Sequence, residues 1–203
     1  EAIADLQLAL NQFPSYPFFV KCEKVVDRII ASRAWRPRRR AKVAVLGSAT
    51  TALLAPVLRA SGFRGGIELD IYEGPYGNYA QEILDPNSGL ARFRPDIVLL
   101  ILNHRDLSLP SSGGKDQALL FCERLRELWT VLHERNPCHI VQVGFDQPRD
   151  GGWGSLEATL PEGRRRAIAL ANLRLSENLP AGVSFLDANA VAAQAGSEFA
   201  SEK

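Results

Sequence analysis

Apolar and polar positions along the chain fall into two periodicities. Val43, Ala44, Val45 and Leu46 form a run with no polar break, and Ile97 to Leu102, His139 to Phe145 and Val183 to Leu186 are nearly as continuous. Such runs suit strands buried on both faces. Ile67 to Tyr72 alternates apolar and acidic, as a sheet strand does. Helical spacing fills the intervals. Ala2 to Gln12 places Ile3, Leu6, Ala9 and Leu10 on one face, and Phe18 to Ser32 repeats the pattern after breaks at Phe13-Pro14 and Tyr16-Pro17. A third helix starts around Leu53, with Thr50 or Thr51 as its cap. Gln81 to Leu84 predicts a short helix, and Ser88 caps one more turn through Phe93. Asp116 to Arg135 and Glu162 to Glu177 predict two long helices, and Asp187 caps a last one that frays near Gly196.

Strand and helix therefore alternate from about residue 41 onward. Right-handed crossovers then give an α/β fold, a three-layer α/β/α sandwich on a parallel sheet of about five strands. The expected order is 2-1-3-4-5, with the first strand starting near Ala41 and central. Residues 1–40 read as an N-terminal helical segment and basic linker, and residues 41–203 as the α/β domain. The linker is Arg36-Pro37-Arg38-Arg39-Arg40, read as a solvated approach to the first strand. Ser111-Ser112-Gly113-Gly114 reads as a hinge-like loop and Arg149 to Ser155 as a mobile Gly-rich loop.

Composition narrows the function. The 203 residues are 46% hydrophobic and 23% charged, ordinary for a globular domain, and the net charge of +1 makes no general case for nucleic acid or an anionic membrane. No apolar run reaches membrane-spanning length. Cys22, Cys122 and Cys138 fit neither a zinc spacing nor a disulfide framework, so a reducing cytoplasm is expected. The sequence contains no Met, which points to a processed, excised or rewritten chain.

The candidate chemistry lies where strands end. In KVAVLGSATT the first strand stops at Gly47 and Ser48, and a small polar turn leads into a helix. Open α/β sheets bind ligands at such places, because unpaired N–H groups and the helix dipole converge there. Gly77-Asn78, Asn103 to Asp106, Asp146 and Asp187 stand at the other carboxyl ends, so all converge on one edge. Ser48, Thr50 and Thr51 offer a nucleophile or oxyanion contacts. Asn78, Asn103 and the N–H groups near Gly47 or Gly77 offer an oxyanion hole. Arg105 suits a phosphate or carboxylate, and His104 a general base. His133 and His139 fall on the opposite edge. A nucleophilic serine needs a base that a third group orients, and the sequence offers no convincing set.

Three stretches together carry a family likeness: KVAVLGSATT, IELDIYEGPYGNYAQEILDPNSGL and FRPDIVLLILNHRDL. They resemble the N-terminal domain of FkbH-like proteins, from about Lys42 onward. The resemblance implies an SGNH-hydrolase-like domain joined to a phosphatase-like domain of the haloacid dehalogenase superfamily. It further implies loading of a glyceryl unit from a phosphoglycerate-type donor onto the phosphopantetheine thiol of an acyl carrier protein, in polyketide-type biosynthesis. Magnesium is expected only for the phosphatase-like part, whose DxDxT motif does not occur here; no cofactor is expected within these residues. Aligned to SGNH enzymes, Ser48 and Ala49 stand where that fold's Asp and Ser would. Asn103-His104-Arg105-Asp106 keeps only the final Asp of the GxND block, giving a catalytic set of Ser48, His104 and Asp106. Gly47, Thr50, Thr51, Gly77, Asn78, Asn103 and Arg105 are then the substrate contacts. The DxxH block that carries the base is expected past Lys203. Two other readings remain open: a stand-alone esterase using Ser48, and a non-catalytic module for a carrier protein.

Overall fold

The structure, a computed structural model, describes residues 2–13, 15–109, 115–148, 154–161 and 163–196. Five parallel strands form one sheet: β1 Arg39–Gly47, β2 Ile67–Glu73, β3 Ile97–Ile101, β4 His139–Val143 and β5 Val183–Leu186, in the order β2-β1-β3-β4-β5. The predicted order is the observed one. β1 is interior and paired on both sides, although the middle place of five falls to β3.

The helices are α1 Ala2–Gln12, α2 Tyr16–Ala31, α3 Leu54–Arg64, α4 Tyr79–Leu84, α5 Gly89–Phe93, α6 Lys115–Arg135, α7 Arg164–Ser176 and α8 Ala188–Ala195. The main core joins Ala44, Leu46, Val98 and Leu100 of the sheet to Cys122, Leu125 and Trp129 of α6 and to Ile168 and Leu175 of α7. The fully buried polar side chain of Gln142 is satisfied: Oε1 accepts from Trp129 Nε1 at 3.1 Å and Nε2 donates to the Val143 carbonyl at 2.9 Å. A second cluster joins Leu10 of α1 and Phe19, Cys22 and Val26 of α2 to Ala60 and Phe63 of α3. The N-terminal helices thus lie against α3.

Three local expectations change. Tyr16-Pro17, expected as part of the break ahead of a second helix at Phe18, is instead the start of α2, because proline suits the first helical turn, where its missing N–H would have no partner. Arg39 and Arg40 are not linker: they open β1, opposite Ile67 and Glu68. Neither Thr50 nor Thr51 caps α3. The chain makes another turn first, with the Leu54 N–H donating to the Thr51 carbonyl at 2.8 Å, and Leu53 takes the cap position without a side-chain bond. By contrast, the Ser88 and Asp187 side chains accept from the first turns of α5 and α8 as predicted. The Ser111 to Gly114 hinge and most of the Arg149 to Ser155 loop lie outside the described residues.

Candidate functional site

At the carboxyl edge β1 ends on Gly47, and β3 presses close to it. A Cβ on Gly47 would sit 2.6 Å from the Ile101 carbonyl oxygen. That oxygen accepts from the Ser48 N–H at 3.2 Å, so the β1–β3 ladder runs one rung past the strand end and fixes Ser48, which is 8% exposed. The β2 loop is tied in from the other side: the Gly74 N–H donates to Val45 at 2.9 Å and the Gly77 N–H to Gly47 at 3.1 Å. Gly77 makes this reach with φ of 72°, where a side chain would be strained.

From β3 the chain enters a 3-10 turn, His104–Leu107, held by a reciprocal cap. Asn103 Oδ1 accepts from the Arg105 N–H at 2.8 Å, and Asp106 Oδ2 accepts from the Asn103 N–H at 2.9 Å. The same Asp106 oxygen accepts the Ser48 hydroxyl, and the Asn103 N–H also lies 3.3 Å from Ser48 Oγ. Ser48, Asn103 and Asp106 therefore form one closed hydrogen-bonded set across the ends of β1 and β3. Tyr79, at the start of α4, borders it; burial first, and then the Asp106 carboxylate, push its phenol above the ordinary tyrosine range.

His104 belongs to a second pair. Its N–H donates to Asp146 Oδ1 and its Nδ1 bonds to Asp146 Oδ2, both at 2.9 Å, bridging the ends of β3 and β4. A carboxylate on Nδ1 selects the tautomer with the proton there and leaves Nε2 as an acceptor. The hydroxyl of Ser48 is given to Asp106, not to this ring.

Gly47, Ser48, Asn103 and Asp106 are thus brought together, with Gly77 joined through its backbone. Thr51 instead bonds Glu73 at 3.3 Å, while Thr50, Asn78 and Arg105 are exposed and form no side-chain hydrogen bond among the described residues. The expected oxyanion donors are largely occupied, since the N–H groups of Ser48, Gly77 and Asn103 already have acceptors. Among the described residues nothing accepts from the N–H groups of Ala49, Thr50 and Thr51. Asp146 stood in the sequence as a strand-end polar residue without a role; its position after the β4 run was the available signal. Tyr79 gave none, because its position depends on how the 74–78 loop folds back. Among the described residues no three His, Cys, Asp or Glu side chains group to hold a metal ion, and no helix is long and apolar enough to cross a membrane.

A family model described as FkbH, N-terminal domain, matches residues 42–200. Comparison with curated proteins finds no match. Among solved structures, the N-terminal part of the protein BF1531 from Bacteroides fragilis, containing a phosphatase domain complexed with Mg, is similar with a TM-score of 0.69 at 19% identity. The match covers 88% of this chain and 47% of that one, so the chain spans about half of that solved chain, and the likeness is one of fold.

Proposed function

The chain belongs to the FkbH N-terminal domain family, and from that premise we propose that its carboxyl sheet edge binds the acylated phosphopantetheine end of an acyl carrier protein without turning it over. The observation that carries this reading is the destination of the Ser48 proton. It is held by a carboxylate, a weak base toward a hydroxyl, while the imidazole is clamped to Asp146. A nucleophile so placed gains little activation. The exposed turn beside it keeps three unpaired N–H groups and the Thr50 hydroxyl, which suit a carbonyl or phosphate oxygen.

In this reading the whole protein transfers a glyceryl or related acyl unit from a phosphoglycerate-type donor to the carrier, in polyketide-type biosynthesis, and this domain presents the arm. In this reading magnesium goes with the phosphatase-like part, and no step on this edge runs through a metal. A cytoplasmic setting goes with three free, buried cysteines. The competing reading, an esterase that uses Ser48 directly, would need the Ser48 proton to pass to a stronger base than the Asp106 carboxylate that now holds it. Titration with carrier protein in its apo and phosphopantetheinylated forms tests the proposal. Preferential binding of the armed form, weakened by Thr50→Pro, which removes one turn N–H, is expected. Equal binding of both forms would leave only an interaction module indifferent to the arm.

A further inference from the structure

The basic run that reads as a linker in the sequence instead lines a cleft at the opposite edge of the sheet. The cleft has a volume of about 780 Å³ and lies between the end of α2 and the start of β1 and β2. Arg33, Arg36, Arg38, Arg39 and Arg40 line it, with Trp35 among its apolar lining. Glu68 is its single carboxylate and already holds Arg40, Nε to Oε2 at 3.1 Å. Among the described residues the other four arginines have no ion pair. A chain with a net charge of only +1 therefore gathers five exposed arginines along one cavity.

The frame under these side chains is fixed. Trp35 packs on Phe63 with ring centroids 4.6 Å apart. The Arg38 N–H donates to the Gly66 carbonyl at 2.8 Å. Gly66 has φ of 79°, and a Cβ there would meet Arg38 Cδ at 3.3 Å, so glycine leaves room for the arginine stem. Arg39 and Arg40 are in register with Ile67 and Glu68. A smaller cavity of about 240 Å³ adjoins and shares Trp35, Arg36 and Arg38, adding Arg64.

We propose that this cleft binds a small molecule carrying at least two phosphate groups. Guanidinium forks match phosphate oxygens bidentately, and unpaired arginines facing one concavity repel each other until an anion joins them. The volume is that of a small-molecule site, and the arginines line a concavity rather than a stripe along a helix, as a polynucleotide would need. Nine residues of β1 put the cleft about 27 Å from Ser48. The site is therefore distinct from the Ser48 edge, and its failure would leave the carrier-arm reading untouched.

Isothermal titration of inorganic pyrophosphate into the full chain at low salt tests this. Saturable one-to-one binding is expected, stronger than for orthophosphate and weakened by added chloride. Arg36→Ala/Arg38→Ala should bind about tenfold weaker or worse, and Arg124→Ala, elsewhere on the surface, should bind as wild type. Arg36→Lys/Arg38→Lys keeps the charge, loses the fork and should fall between; it also guards against a folding defect in the alanine pair. No saturable binding, unchanged affinity in the alanine pair, or an equal loss in Arg124→Ala overturns the proposal. Binding of poly-glutamate without binding of pyrophosphate overturns it in favour of an acidic protein surface.

Discussion

Replacing Gly47 with alanine tests the close approach on which the whole carboxyl edge depends. The new Cβ would lie 2.6 Å from the Ile101 carbonyl oxygen, which is backbone and cannot swing aside. β3 is held on its far side by β4 over the full length from Ile97 to Ile101, so the separation must come from bending the end of β1. Overpacking of this kind costs about 1–3 kcal/mol. If the Ser48 N–H bond to Ile101 is also lost, about 1 kcal/mol more follows. For a chain of this size each kcal/mol lowers the melting temperature by about 2–4 °C, so Gly47→Ala should melt roughly 2–16 °C below wild type. Thermal unfolding followed by far-UV circular dichroism measures the shift, and urea unfolding measures the free-energy loss behind it. Gly77→Ala is the contrast, because a Cβ there meets nothing within 4 Å and the cost is purely that of φ at 72°, about 1–2 kcal/mol. A Gly47→Ala protein as stable as wild type would refute the described packing of β1 against β3.

Other consequences follow from buried groups. Gln142→Leu should destabilise by about 1–3 kcal/mol by orphaning the Trp129 N–H, and the double variant with Trp129→Phe should lose less than the two single losses added, read by the same urea assay. Leu10→Ala should cost about 2–5 kcal/mol if the N-terminal helices fold with the sheet as one unit; a separate early transition would instead show that they melt alone. Burial pushes the Cys122 thiol up to about 12 and the Cys138 thiol up to about 11. Both thiols therefore keep their protons in the folded state where unfolded ones lose them, and stability should fall as pH rises from about 8.5 toward those values. A thiol reagent at neutral pH should label none of the three buried cysteines before denaturant is added.

The sheet was legible because four of its strands carry nearly continuous apolar runs, β2 alternates as a strand does, and helix-length intervals separate them all, so crossover handedness leaves few topologies. Ser48, Asn103 and Asp106 were legible for a related reason: residues just after parallel strands must meet at one edge. Their pairing was not. Nothing in the sequence tells whether the Ser48 hydroxyl faces Asp106 or His104, because that turns on the 3-10 turn closed by Asn103. The misplaced threonine cap has the same origin, a loop that spends its own backbone carbonyl where a side chain was expected. The arginine run was read by its charge alone. Only the register of β1 against β2, set by apolar residues further along, shows that it lines a cavity.

Turnover of an activated ester, compared between wild type and Ser48→Ala, tests the central claim most directly. A serine whose proton rests on a carboxylate, beside an imidazole clamped to Asp146, should hydrolyse no faster than the alanine variant. Robust hydrolysis by wild type that Ser48→Ala abolishes would contradict the account and make the carboxyl edge an esterase site.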